Sequence, residues 1–183
     1  MKKTLVALSL LALASAASAQ EINKHLSDGF GVFGGVSLGK TAGEKSTGYT
    51  LGVDYTKYLN DGFFVQPSLQ YIDSKTDYND KHIVGLVNGG YTFLLDNNVT
   101  VSPKAGVGYR YTRWNRTYTQ GELGIPIPNW TVHESGSDSG VVFNVGVDVG
   151  FAKNWNVGLN HMRMKGKNGN HADYTSLTLG YKF

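Results

Sequence analysis

The fold is decided by the stretch VTVSPKAGVGYRYT, which occupies residues 99–112 of this 183-residue chain. Apolar and polar side chains alternate along it. The odd-numbered residues, such as Val107 and Tyr109, share one face, whereas Lys104 and Arg110 lie on the other. An alternation of period two is typical of a β-strand whose faces meet different environments. The stretch therefore predicts a strand in a sheet that is apolar on one side and polar on the other.

The same alternation recurs along the chain, without a sustained apolar stripe of helical period. It predicts eight strands, at residues 30–39, 48–58, 63–72, 82–94, 99–112, 141–151, 155–160 and 176–183. In the fourth strand both faces carry apolar residues, and we assign its odd-numbered residues outward because Asn88 falls on the even-numbered face. Short connections at 59–62, 96–98 and 153–154 alternate with longer ones at 40–47, 73–81, 113–139 and 165–172. Long loops on one side and short turns on the other are typical of an outer-membrane barrel.

Residues 1–19 have the features of a secretory signal peptide: a lysine-containing start, an apolar run at 5–14 and an A-x-A end at 17–19. We expect cleavage before Gln20, which leaves a single β-barrel domain at 20–183. Removal of the two signal lysines leaves 15 basic against 14 acidic residues, so the net charge of +3 falls to +1 and does not favour nucleic-acid binding. The absence of cysteine excludes a disulfide scaffold and a thiolate zinc site.

The distribution of charge favours a membrane barrel over a soluble sheet. The middle of the apolar face carries no charged side chain, as contact with lipid requires. The opposite face holds too many polar groups for the core of a sandwich, and a closed barrel can satisfy them with one another and with trapped water. Aromatic residues cluster near both ends of the strands, which predicts two interfacial girdles. The inward polar set is Asp54, Gln66, Gln70, Asn88, Lys104, Arg110, Asn144, Asp148, Asn156, Asn160 and Lys182.

From residue 30 to 183 the chain resembles the small eight-stranded outer-membrane β-barrel proteins, the group that includes the OmpA-like transmembrane domain and the outer membrane protein X type. The resemblance rests on the strands at 101–111 and 154–161 and on the ending LTLGYKF at 177–183. It implies an all-β, eight-stranded antiparallel up-and-down transmembrane barrel, exported through the periplasm to the outer membrane of a Gram-negative bacterium. It also implies that Tyr181 and Phe183 form the C-terminal signal read by the barrel assembly machinery.

Five inward ions are candidates for the interior of the barrel: Asp54, Lys104, Arg110, Asp148 and Lys182. They could line a conduction path or form a salt-bridged plug. An eight-stranded lumen is just filled by side chains, and buried charges must be paired, so we favour the plug. Lys104 and Asp148 lie at similar distances from the turn ends of adjacent strands, which makes them plausible partners.

An enzymatic site is not favoured by the sequence. Some small outer-membrane barrels modify lipid A, and a hydrolase of that kind needs a serine that a histidine activates. The pattern of a lipid A deacylase places serine two residues after the histidine, but Arg163 stands two residues after His161. The pairs at 133–134 and 171–173 offer metal ligands without an evident third partner. We therefore expect no catalytic centre, no metal and no cofactor.

Two surface features suggest interactions. The long connection carries bulky apolar groups in a polar context, which indicates either a self-packed loop or strand extension above the rim or a contact surface. The residues of this candidate contact surface are Trp114, Tyr118, Ile125, Ile127 and Trp130. The second feature is a locally unbalanced basic group, Arg163, Lys165 and Lys167, which could pair with lipopolysaccharide phosphates.

These observations predict a monomeric integral outer-membrane protein with a plugged polar lumen. Its expected role is to support envelope integrity and to present extracellular loops for surface interaction or adhesion, with outer-membrane lipids, lipopolysaccharide and a host or surface ligand as partners. A narrow non-specific pore is the alternative, and a lipid A-modifying enzyme is a third reading.

Overall fold

The computed structural model describes residues 26–41, 44–75, 79–95, 99–120, 130–151, 154–166 and 171–183. No helix in these ranges is long and apolar enough to cross a membrane. Nine strands in them form one antiparallel sheet. The strands are β1 (Gly29–Thr41), β2 (Glu44–Tyr58), β3 (Phe63–Lys75), β4 (Asn79–Tyr91), β5 (Phe93–Leu94), β6 (Thr100–Gln120), β7 (Trp130–Gly150), β8 (Trp155–Lys165) and β9 (His171–Lys182).

The sheet closes into a barrel. The first strand pairs with the last, with Val36 opposite Leu177, and β4 pairs with β6 to complete the circle. The short β5 continues β4 after an interruption at Thr92, and both pair with β6 in one continuous register. The nine strands are therefore the eight walls of an antiparallel up-and-down barrel, and the predicted fold class is confirmed. Closure leaves no open edge within the barrel wall, as a lipid environment demands.

The burial of side chains confirms the predicted assignment of faces. The two apolar residues Ile83 and Val84 are adjacent in β4, yet Ile83 is 50% exposed and Val84 is fully buried. Asn88 is also buried, as expected from its place on the inward face. Because the exposed face is the apolar one, the barrel presents its aliphatic residues to lipid and encloses its polar residues.

The connections differ from the prediction. The strands run past the expected loop boundaries, so that β1 and β2 are separated by residues 42–43, β3 and β4 by 76–78, and β8 and β9 by 166–170. The prediction of four long loops was therefore wrong, and only the connection at 121–129 is long among them. Paired backbones satisfy each other's hydrogen bonds outside the membrane as well as inside it. The strand ladder consequently continues where the apolar alternation that marks the lipid band has stopped.

The turn between β2 and β3 shows how the short connections form. Asp61 and Gly62 both adopt positive φ, of 49° and 94°, and the Phe63 amide donates a hydrogen bond to the Asn60 carbonyl. Two consecutive residues at positive φ are the mark of a type I′ turn, whose twist matches that of a tight hairpin.

The segment before β1 is attached to the end of β2 by Asp28. This carboxylate accepts hydrogen bonds from the Lys57 ammonium and the Tyr58 amide, and both hydrogen bonds hold the pKa of the carboxyl below its usual range.

Candidate functional site

The interior of the barrel begins with a cavity of about 470 Å³ at the turn end, which has both polar and apolar walls. Asp54, Asp148 and Lys182 line it together with Tyr58. The Lys182 ammonium lies 4.9 Å from the centre of the Tyr58 ring, a cation–π distance. Three of the five predicted lumen ions, Asp54, Asp148 and Lys182, thus line a space large enough for water.

An ion pair follows directly above this cavity. Lys104 Nζ lies 2.6 Å from Asp148 Oδ2 and donates a second hydrogen bond of 3.2 Å to Gln66 Oε1. The side chains of Lys104 and Asp148 are only 9% and 18% exposed. The space that remains at this level is about 30 Å³, roughly the volume of one water molecule. Nearby, Asn144 Nδ2 donates to Asn88 Oδ1 at 2.9 Å. The expected partnership of Lys104 and Asp148 is present, and these polar side chains lie together in the lumen.

Arg110 lies apart from the other four ions. It is buried, and its Nη2 pairs at 2.9 Å with Asp138, a residue placed in the loop by the prediction. A second guanidinium hydrogen bond reaches Thr112. The five predicted lumen ions therefore do not form one network. They are divided among the turn-end cavity, the Lys104–Asp148 pair and the Arg110–Asp138 pair near the opposite end.

A layer of buried apolar side chains, which the sequence analysis did not predict, lies toward the loop end of the lumen. Gln70 Nε2 lies 3.4 Å from Met162 Sδ, so the layer meets the polar middle at that point. His82 is buried at its edge, within hydrogen-bond distance of the Tyr174 hydroxyl at 2.9 Å and of Thr112 Oγ1 at 2.8 Å. The layer consists of Ile72, Val84, Leu86, Val142, Met162, Met164, Ala172 and Tyr174. The sequence did contain a signal for this layer: all eight residues have even numbers, as do the polar residues predicted to face inward.

The hairpin of β6 and β7 rises above the rest of the barrel. These strands stay paired from Thr100 opposite Gly150 to Gln120 opposite Trp130. In contrast, β4 pairs with β6 only as far as Asn115, and β8 pairs with β7 only from Val142. The boundaries predicted for the fifth and sixth strands, at 112 and 141, were therefore wrong. Thr, Tyr and Trp, which favour strands, continue the hairpin beyond the lipid band.

The predicted contact surface is only partly placed by the structure. Trp114 is half-buried, and its ring lies against Gly136 of the opposite strand. Tyr118 and Trp130 belong to the paired backbone of the hairpin, where Tyr118 faces Val132 in the register. The positions of Ile125 and Ile127 lie outside the described residues, as do Lys167 and the predicted signal peptide.

The lipid-facing His161 contacts a threonine rather than a serine. His161 Nδ1 lies 3.0 Å from Thr175 Oγ1 on β9, and both groups are exposed. Arg163, two residues further along β8, lies 3.8 Å from Asp173. No group of three or more candidate metal ligands is found in the described part of the chain. At the chain terminus, the rings of Tyr181 and Phe183 lie 5.2 Å apart, and the Phe183 amide donates to the Phe30 carbonyl.

A closed barrel, an apolar outer wall and aromatic ends define the type of protein, and a family comparison agrees with them. The family described as "Outer membrane protein beta-barrel domain" matches residues 5–183. The chain belongs to this family. It is accordingly a β-barrel protein of the outer membrane. The comparison with curated protein sequences found no match.

Solved structures show the same fold at low sequence identity. Neisserial surface protein A is 12% identical, with a TM-score of 0.55 over 84% of this chain and 97% of that one. Ail, the attachment invasion locus protein of Yersinia pestis, is 17% identical, with a TM-score of 0.50 over 86% and 100%. The outer membrane enzyme PagL is 14% identical, with a TM-score of 0.54 over 84% and 99%. Because these neighbours include an enzyme and a protein named for attachment, the fold does not by itself decide the function.

Proposed function

We propose that this protein is a closed, non-catalytic outer-membrane anchor that presents the β6–β7 hairpin for interactions at the cell surface. The observation that carries the proposal is the height of this hairpin. In the part of the chain that the structure describes, β6 beyond Asn115 and β7 before Val142 pair with each other and extend past the paired ends of β4 and β8. Short turns of such barrels face the periplasm, so the hairpin extends outward from the cell.

The outer stretch of β7 offers a specific mode of contact. Residues 130–139 pair with β6, but β8 does not reach them in the part of the chain that the structure describes. Extended polypeptides bind to the edges of sheets by strand addition, through the backbone N–H and C=O groups of the edge strand. This stretch contains neither lysine nor proline, the residues that commonly protect an edge. An extended segment of a surface protein is therefore the partner that this edge fits.

A related structure is consistent with a surface role. Ail of Yersinia pestis was solved in complex with the heparin analogue sucrose octasulfate, with a TM-score of 0.51 to the present chain. That complex concerns Ail and shows that a barrel of this fold can carry a ligand. For the present chain, support for the proposal comes from the hairpin geometry.

The interior of the barrel supports an anchor rather than a pore. The cavity at the turn end has a volume of about 470 Å³, whereas the space beside the Lys104–Asp148 pair has a volume of only about 30 Å³. Above this level, the side chains of the apolar layer carry one hydroxyl group, that of Tyr174, which lies 2.9 Å from His82 Nε2, so the layer offers few polar partners to a hydrated ion. We infer that the barrel does not conduct and that its filled interior contributes to the integrity of the envelope. Single-channel recordings of pure protein in planar bilayers should show no steady conductance of porin size, and such a conductance would refute the closed interior.

The surface role can be tested by shortening the hairpin at a register position. Arg116 lies opposite Glu134, so replacing residues 117–133 with Asn-Gly closes the hairpin with a two-residue turn and leaves the barrel untouched. Bacteria that lack other adhesins would display either form, and their adhesion to cultured epithelial cells would be counted. We expect the shortened form to adhere at the level of bacteria that carry no barrel.

A matched control separates loss of the hairpin from loss of folding. Replacing residues 42–43 between β1 and β2 with Asn-Gly alters a different outer connection and should leave adhesion unchanged. Circular dichroism and the amount of protein in the outer-membrane fraction should be equal for all three forms. Full adhesion by the shortened form would refute the role assigned to the hairpin.

A further inference from the structure

Two oppositely charged side chains line the turn-end cavity without forming a salt bridge. Asp54 on β2 and Lys182 on β9 both face this cavity, and in the described part of the chain neither has an ion-pair partner within salt-bridge distance. A third charged side chain of the cavity wall, that of Asp148, is already paired with Lys104. Removing a charged group from bulk water is costly unless a counter-ion or hydrogen bonds compensate it. Folding alone therefore leaves Asp54 and Lys182 incompletely paired.

Gly31 on β1 lies between these two charged residues and keeps them apart. It is the register partner of Asp54 on one side and of Lys182 on the other. Two steps between neighbouring strands amount to roughly 10 Å. A Cβ at Gly31 would lie only 2.8 Å from Asp54 Oδ1, so the carboxylate leans into the space that a side chain at this position would need. Because Gly31 has no side chain, the gap between the carboxylate and the ammonium belongs to the cavity.

Both charged groups retain hydrogen-bonding capacity toward the cavity. The Lys182 ammonium lies 4.9 Å from the centre of the Tyr58 ring. This contact involves one side of the ammonium, which has three N–H donors. Gln66 lies within hydrogen-bonding reach of Asp54, and a carboxylate has about four acceptor positions. The cavity wall therefore offers a cationic donor and an anionic acceptor to one bound molecule.

The volume and the remaining walls of the cavity fit a small ligand. The volume of about 470 Å³ falls within the range of small-molecule sites, roughly 300–1,000 Å³. Apolar residues, namely Leu26, Phe64 and Leu94, contribute to the wall. Small-molecule sites typically combine such apolar walls with a few polar groups that fix the orientation of the ligand. The turn-end cavity has both components.

We propose that the turn-end cavity binds a small zwitterion, an α-amino acid with an apolar side chain. The α-ammonium of the ligand donates to the Asp54 carboxylate, the α-carboxylate accepts from the Lys182 ammonium, and the side chain lies against the apolar wall. Together with the Lys104–Asp148 pair, these side chains have no net charge. A ligand without net charge preserves this balance, whereas a simple anion or cation would leave one of the two wall charges facing a like charge.

The ligand enters this site from the periplasm. Short turns of such barrels face the periplasm, and the space beside the Lys104–Asp148 pair, about 30 Å³, is too small for an amino acid to pass toward the loop end. The site is therefore a pocket with a closed end, in agreement with the non-conducting barrel proposed above. It does not depend on the β6–β7 hairpin, which extends from the opposite end of the barrel.

The experiment measures the binding of radiolabelled L-leucine to the full-length mature protein in neutral detergent micelles by equilibrium dialysis. Two analogues compete with the label: L-leucinamide, which lacks the carboxylate, and N-acetyl-L-leucine, which lacks the ammonium. We expect each analogue to bind roughly tenfold more weakly than leucine, since each loses a hydrogen bond between charged groups.

Variants assign the two ends of the ligand. Asp54→Asn should weaken leucine and leucinamide roughly tenfold and leave N-acetyl-leucine unchanged, whereas Lys182→Gln should weaken leucine and N-acetyl-leucine and leave leucinamide unchanged. Gly31→Ala keeps every charge but displaces the Asp54 carboxylate, so it should act like Asp54→Asn. Asp61→Asn in the β2–β3 turn and Lys81→Gln on the outer wall remove the same charges at exposed positions and should leave binding unchanged.

Three results would overturn the proposal. If the unaltered protein does not bind leucine, the cavity holds water only. Equal affinities for leucine and both analogues would show apolar partitioning, and equal losses in Asp54→Asn and Asp61→Asn would show a diffuse effect of charge. Circular dichroism of each variant confirms that the barrel is folded. The hairpin-shortened protein should bind leucine normally, so the surface role and the amino-acid site can fail independently of each other.

Discussion

Separating Lys104 from Asp148 should weaken the barrel more than removing both charges together. The two side chains lie 2.6 Å apart and are 9% and 18% exposed. Replacing Lys104 with Met leaves the Asp148 carboxylate in a largely buried position without its cation. Breaking a buried pair in this way costs about 3–5 kcal/mol. Because Asp148 also lines the turn-end cavity, where water can approach it, we expect the lower end of that range, about 3 kcal/mol.

A double-mutant cycle measures this coupling directly. The variants are Lys104→Met, Asp148→Asn and the combination of the two, each unfolded reversibly by urea from phosphatidylcholine vesicles and followed by tryptophan fluorescence. The combined variant should be more stable than Lys104→Met alone, with a coupling energy of about 2 kcal/mol. Gln66, which accepts the second hydrogen bond from Lys104, stays unchanged in all forms. A coupling energy below about 0.5 kcal/mol would refute the view that this ion pair stabilises the filled lumen.

Three further predictions address other parts of the molecule. Met162→Ala should lower the free energy of unfolding by about 2–4 kcal/mol because Met162 is 1% exposed in the apolar layer, whereas lipid-facing Leu159→Ala should cost less than half as much in the same urea experiment. Gly108→Ala should prevent or strongly impair refolding, since a Cβ there would overlap the Gly85 carbonyl oxygen, while Gly85→Ala, whose Cβ would meet open space, should refold normally on circular dichroism. Deleting Phe183 should reduce the amount of barrel in the outer-membrane fraction of cells but not refolding of the purified chain into detergent; equal amounts in cells would contradict an assembly signal at this residue.

The sequence was sufficient to predict the wall of the barrel but not the ends of its strands. Alternation placed residues such as Val107 outward and Lys104 inward, and the exposed fractions agree. The same pattern stopped at residue 112 because the contrast between lipid and lumen ends at the membrane surface. From there to Gln120, hydrogen bonds with β7 maintain the strand. These bonds need no particular side chain, so they leave no periodic signal in the sequence.

The contents of the lumen were predictable only in part. Lys104 and Asp148 belong to adjacent strands, β6 and β7, and their similar distances from the turn ends indicated that they could meet. The pairing of His82 with Tyr174 joins residues 92 positions apart on strands that are not neighbours. Such a contact depends on how far the strands tilt as the barrel closes, and the register that sets the tilt is not encoded in an alternation of period two.

The closed lumen and the presented hairpin that we propose would depend on the same residues. Val142, the first residue of β7 that pairs with β8, is also a fully buried member of the apolar layer. The Arg110–Asp138 pair links β6 to β7 at the base of the hairpin and adjoins Thr112, which contacts His82. Burying each large apolar side chain of the layer contributes about 1.5–3 kcal/mol, so the layer holds the base of the hairpin firmly in place. An open channel through this end of the barrel would remove these contacts. A filled barrel would therefore hold a raised hairpin more rigidly than a pore would.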